Sequence, residues 1–128
     1  MKLENVLFAI ETYTEIEVFT DNKKTSVFYP SPLRTSLLKK RHYDIIDIDV
    51  KNNTLVLNLQ MDNKQSISSE INTLILSDLL QLVKSKERLV ILFQMFHYNL
   101  PVYSKEKYLN HPVVKISVHE DILYIIIK

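Results

Sequence analysis

The sequence predicts an α+β protein built from two tandem helix-plus-antiparallel-hairpin units, each running αββ-short helix-ββ. Three observations predict it. Apolar residues at helical spacing open each half, period-two alternation marks the strands that follow, and the halves resemble each other at nearly constant offset. The domain boundaries that follow are residues 1–60 for the first unit, 61–70 for a linker and 71–128 for the second unit. Each unit alone is near the size at which a core is marginal, so the two are expected to pack together or share a sheet.

Leu3, Val6, Leu7 and Ile10 fall on one helical face, which predicts a short amphipathic helix over about the first dozen residues. Ile16 and Val18 alternate with Glu15 and Glu17, the pattern of a half-buried strand. Asp21-Asn22-Lys23-Lys24 reads as a polar turn and Thr25–Tyr29 as the returning strand. Pro30-Ser31-Pro32 stops that strand, because proline cannot donate to a ladder, and a short helix is expected over Leu33–Arg41. From Asp44, alternation places Ile46, Ile48 and Val50 on one face and Asp47 and Asp49 on the other. A turn at Lys51-Asn52-Asn53 then leads into Leu55, Leu57 and Leu59.

Met61–Ser69, rich in Asn, Gln and Ser, reads as the linker, and Ile71–Ile75 as an added strand. Leu76, Leu79, Leu80 and Val83 repeat the helical spacing, with Ser77-Asp78 as the expected cap. Leu89–Phe93 predicts a strand with Val102-Tyr103 in its return. Val113–Val118 and Ile122–Ile127 predict a closing hairpin around His119-Glu120-Asp121. An offset of 68 residues (43 to 111) lays Tyr43–Gln60 on His111–Lys128 without a gap, matching Ile48, Val50 and Leu55 to Ile116, Val118 and Leu123. An offset of 73 (3 to 76) lays Leu3–Phe19 on Leu76–Leu92.

Composition removes whole classes of chemistry. The 128 residues include no Gly, so phosphate-cradling loops, dinucleotide fingerprints and the Gly-x-Ser-x-Gly elbow cannot occur, and turns must use Asn and Asp. There is no Cys, hence no disulfide, thiolate metal site or cysteine nucleophile. Lys+Arg 16 against Asp+Glu 15 lacks the basic excess of a dedicated DNA binder. The opening Met1-Lys2-Leu3-Glu4-Asn5 lacks the apolar stretch of a signal peptide, and no apolar run approaches the ~20 residues of a membrane-spanning helix. A cytoplasmic protein with no membrane partner is the expectation.

Among polar constellations, Asp47 and Asp49 lie on one strand face, but the offset replaces them with Lys115 and Ser117, which marks them as a solvated face. His42, His97, His111 and His119 have no ligand spacing, so no metal, no cofactor and no catalytic residues are expected. The densest basic patch is Lys39-Lys40-Arg41 with Arg34 before it. It complements the end of a short helix and also suits phosphate, the basis of an alternative nucleic-acid reading.

The halves differ most in the first hairpin of each. Where the first half has Asp21-Asn22-Lys23-Lys24, the second has Met95, Phe96, His97 and Tyr98 within a run from Phe93 to Leu100. Such residues are enriched in protein interfaces. Two placements are open: an exposed partner-binding wedge, or a seam buried against the first unit. A free edge at Ile125-Ile126-Ile127 would also suit a homodimer.

The opening Leu3–Glu11 running into Ile16-Glu17-Val18-Phe19, and the hairpin Asp44–Val50 with its Asn-Asn turn and Leu55-Val56-Leu57, resemble small accessory proteins of phages and mobile elements of low-GC Gram-positive bacteria. That resemblance implies a non-enzymatic protein that binds a host protein inside the bacterial cell, in the manner of an inhibitor of host defence such as an anti-CRISPR protein.

Overall fold

The computed structural model describes residues 1–21, 23–28, 37, 39–61 and 73–128. It is a mixed α+β structure dominated by two four-stranded sheets. Helix α1 (Leu3–Leu7) precedes β1 (Ile16–Thr20), β2 (Lys23–Phe28), β3 (Asp44–Lys51) and β4 (Thr54–Gln60). Helix α2 (Leu76–Leu80) precedes β5 (Leu89–Gln94), β6 (Asn99–Pro101), β7 (Val113–His119) and β8 (Ile122–Ile127). The strand orders are β2-β1-β4-β3 and β6-β5-β8-β7. In each sheet two antiparallel hairpins are joined through a parallel pair, β1 with β4 and β5 with β8. That parallel seam lies beyond what alternation reveals, since alternation marks a strand and not its distant neighbour.

The helices are shorter than their apolar spacing suggests, at five residues each. Ile10 and Val83, expected to extend them, sit instead in isolated bridges to Ile116 and Ile48. Neither helix has a side-chain cap, so Ser77-Asp78 does not play that part. The orphan N–H groups of the first turns go to distant backbone: Leu3 and Glu4 donate to the Tyr43 and Arg41 carbonyls, Leu76 and Ser77 to those of His111 and Leu109. Without tertiary structure such one-turn helices would not form.

The expected alternation in β3 also needs correcting. A bulge between Ile45 and Asp47 adds one residue to the strand, and the matching bulge in β7 lies between Val113 and Lys115. The phase therefore shifts, so Ile45, Ile48 and Val50 are buried while Ile46 is 52% exposed. The Leu33–Arg41 helix and the 61–70 linker fall mostly outside the described residues, although Leu37, Lys39 and Lys40 lie in a 3-10 turn. Ile75, the described end of the strand expected at Ile71–Ile75, makes a single bridge to Pro112. The return after β5 comes earlier than expected, at Asn99–Pro101. Strand β8 lies between β5 and β7, so Ile125–Ile127 presents no free edge for a dimer.

One apolar cluster fills the interior, drawing Leu3, Ile16, Leu55 and Leu57 from one half and Leu76, Leu79, Ile116 and Ile125 from the other. The halves are laced together by reciprocal backbone bonds. Ile116 donates to Ala9 and accepts from Glu11, both at 2.7 Å; Ile48 donates to Leu82 at 2.8 Å and accepts from Lys84 at 2.9 Å. Each segment following a helix thus seals the outer edge of the other half's sheet. The seam also carries ion pairs: Glu11 with Lys115 (3.5 Å) and His119 (3.3 Å), and Lys84 with Asp47 (3.7 Å).

With no glycine available, the tight turns of the β3–β4 and β7–β8 hairpins place Asn52, Asn53, Glu120 and Asp121 at φ between 51° and 61°. Both central residues in the left-handed region define type I′ turns, which match the strand twist. The two turns touch: the Asn53 N–H donates to the Asp121 carboxylate, and the Asp121 N–H to the Asn53 side-chain oxygen. Asn and Asp tolerate this region; Glu does not, at roughly 1 kcal/mol. Glu120→Gly is therefore expected to stabilise the protein by about 1 kcal/mol, seen as a higher urea midpoint at unchanged slope. A lower midpoint would show that Glu120 is not strained.

Candidate protein-docking site

The β5–β6 hairpin carries the feature that most resembles a binding site. Its strands pair Leu92 with Pro101, Phe93 with Leu100 and Gln94 with Asn99. The four residues left over form the tip, closed by a 2.8 Å bond from the Met95 N–H to the Tyr98 carbonyl. In the β1–β2 hairpin Thr20 pairs directly with Lys23, leaving a two-residue turn. The second hairpin therefore carries two additional tip residues.

Those residues lie outside the core. Phe96 is 100% exposed, Tyr98 60%, and Met95 and Leu100 each about two fifths; His97 is exposed as well. The seam placement is thereby overturned for this segment: the contact between halves is made by residues 9–11 and 82–84. An aromatic ring standing fully in water contributes no burial to the fold.

The base of the hairpin is anchored. Phe93, on the core side of β5, meets Tyr108 at 5.6 Å and His111 at 5.7 Å between ring centroids, and Tyr108 and His111 lie 5.1 Å apart. His111 Nδ1 sits 3.0 Å from the Lys128 backbone oxygen, which can only accept, so the ring N–H donates. A three-ring cluster thus fixes the strand from which the exposed tip projects. Beneath the tip, Gln94, Met95, Phe96 and Lys128 line a recess of about 400 Å³.

The basic patch fares differently. Arg34 lies outside the described residues. Lys39 and Arg41 are exposed, while the Lys40 ammonium lies 5.9 Å from the Tyr43 ring centroid, a cation–π arrangement. The structure thus does not assemble Lys39, Lys40 and Arg41 into one outward-facing cluster. Among the described residues, no group of three or more His, Asp or Glu is placed to hold a metal ion, and no helix is long and apolar enough to cross a membrane.

Sequence reasoning passed over Phe8, Tyr13 and Val114, exposed apolar residues around a shallow depression at the end of α1. Phe8 adjoins the helix's apolar run and was indistinguishable from core by composition alone. The offset of 73 offers a signal, because it sets Phe8 and Tyr13 against Gln81 and Lys86. Tyr103, 94% exposed, was likewise read as part of a strand.

The fold and this hairpin define a small two-sheet protein with a projecting apolar arm. The sequence matches no protein-family model, and no curated protein and no solved structure matches it.

Placement of the aromatic residues gives a direct expectation. Phe96→Ser with Tyr98→Ser changes stability by less than about 0.5 kcal/mol, as for surface positions in general. Phe93→Ala costs about 3 kcal/mol, as for a truncated packed aromatic. Paired urea denaturation curves check both. A large loss in the tip variant would mean that Phe96 packs against the body.

Proposed function

We propose that this chain is a non-enzymatic protein-binding module, with Met95, Phe96, His97 and Tyr98 as the arm that engages the partner. The observation that carries this reading is the complete exposure of Phe96 on an anchored hairpin. A solvent-facing Phe costs solubility and returns nothing to the fold, whereas large side chains that become fully desolvated on binding dominate interface energetics. A partner of the kind implied by the resemblance is a host protein, bound as an inhibitor binds, within a bacterial cell.

We further infer that the two sheets are tandem copies of one helix-plus-hairpins unit, residues 1–60 and 71–128 around a linker at 61–70. Support comes from contacts that recur at the two offsets. The Lys2–Asp44 bridge has its counterpart in Ile75–Pro112, and Ile48–Val83 in Ile116–Ile10. The bulges at Ile45/Asp47 and Val113/Lys115 recur at 68 residues. On this reading, the four-residue tip is a specialisation of the second copy.

Affinity capture from lysate of the native bacterial host, with the wild-type chain and the folded Phe96→Ser/Tyr98→Ser variant side by side, tests the proposal. A specific protein retained by the wild type and reduced about tenfold by the variant is expected, the scale of one hot-spot residue or more. Equal retention by both would remove the tip from the function. A salt titration with DNA and RNA, using a Lys39→Ala/Arg41→Ala control, separates out the phosphate-binding alternative, whose affinity would fall steeply with salt.

A further inference from the structure

The two sheets share one architecture, so the first serves as an internal control for what the second requires to fold. The comparison is informative on their outward faces, away from the common core. On the first sheet the outward positions of β1, β3 and β4 carry Glu17, Phe19, Asp47, Asp49, Val56 and Asn58. At the corresponding positions the second sheet carries Val90, Leu92, Lys115, Ser117, Tyr124 and Ile126. Glu17 has become Val90 and Asn58 has become Ile126, while two aspartates have given way to Lys and Ser. A sheet of this order forms with the polar set, so folding does not demand the apolar one.

The apolar face is continuous with the arm. Gln94 and Lys128, which line the recess under Phe96, are the next outward positions on β5 and β8 after Leu92 and Ile126. Leu92 and Ile126 in turn floor a second recess of about 300 Å³, closed by Glu11, Lys115, Ser117, His119 and Tyr124. Glu11 is the only carboxylate lining either recess, and it is already matched by Lys115 and His119. The exposed Lys128 ammonium makes no ion pair among the described residues. The face is therefore apolar with a net positive rim.

Its edges restrict what docks there. The β7 edge is sealed at Ile116, whose N–H and carbonyl are both bonded to the 9–11 segment. The β6 edge is three residues long and ends at Pro101, which has no N–H to offer an added strand. A partner cannot extend this sheet and must lie across it through side chains. The three strands β5, β8 and β7 span roughly 10 Å between their axes at ~4.8 Å spacing, about the width of one α-helix.

We propose that the outward face of β5, β7 and β8, with the Met95–Tyr98 arm overhanging one end, docks an amphipathic helix of a partner protein that bears acidic residues beside its apolar stripe. The helix lays its apolar stripe on Leu92, Tyr124 and Ile126, its carboxylates meet Lys128 and Lys115, and Phe96 closes over it. The proposal rests on the protein-binding reading and adds the chemistry of the partner.

The test is selection of the intact chain against displayed random peptides of about 16 residues, a length that as a helix spans the face. The probe set is then refined with synthetic copies of the selected peptides. The proposal expects apolar residues at three- and four-residue spacing flanked by Asp or Glu. It also expects affinity to fall about tenfold on Ile126→Asn and on Lys128→Glu, comparable to loss of one central contact. Ile126→Asn imports the residue found at the same position of the first sheet, and far-UV circular dichroism verifies its fold. Lys128→Glu is a surface change that leaves folding untouched.

Peptides that lose affinity with Phe96→Ser but not with either face variant, or that lack acids, would overturn this proposal and leave the arm intact. Selected peptides insensitive to Phe96→Ser and to both face variants would overturn the protein-binding reading as well. Failure to select any peptide, or tighter binding of a fluorescent oligothymidylate than of any peptide, would also overturn the proposal.

Discussion

Everything in this molecule depends on the exchange of backbone hydrogen bonds at Ile48 and Ile116. Each is the midpoint of an edge strand, and each gives its N–H and carbonyl to the chain segment leaving the opposite half's helix. An edge strand left open is a template for aggregation. Here each half supplies the cover for the other's edge, and the same segments deliver Ile10 and Val83 into the shared core. The helices are too short to persist alone, so their position is a consequence of this lacing and of the carbonyls at 41, 43, 109 and 111 that accept from their first turns.

The sequence was most informative where a pattern is local. The Asn52-Asn53 and Glu120-Asp121 turns and the strands around them are legible from alternation and from the lack of glycine. Bulges are not, because Ile45 and Ile46 are chemically the same residue and only the backbone register decides which one is buried. The parallel pairing of β1 with β4 was equally hidden, since it joins strands far apart in the chain by hydrogen bonds that any residue can make. The tip at Met95–Tyr98 could be found from the difference between halves, but not its exposure. Whether an aromatic segment is seam or arm depends on tertiary placement.

Exposure and rigidity together distinguish the arm from a loose loop. Phe96 stands in solvent, yet the strand beneath it is held through Phe93 by Tyr108 and His111. An anchor prepared in this way loses little conformational freedom on association, which favours affinity for a given contact area. The same logic separates it from the basic patch, where the Lys40 ammonium already faces the Tyr43 ring.

The ion pairs along the seam have a polarity whose effect reaches beyond one molecule. The first half contributes the acids, Glu11 and Asp47; the second contributes the bases, Lys84 and Lys115. If two first halves met through this surface, Glu11 would confront Asp47, and two second halves would set Lys84 against Lys115. Like charges so placed repel. During synthesis on neighbouring ribosomes, when many unfinished first halves share a crowded volume, this arrangement discourages them from settling on one another and leaves each to await the half still emerging behind it.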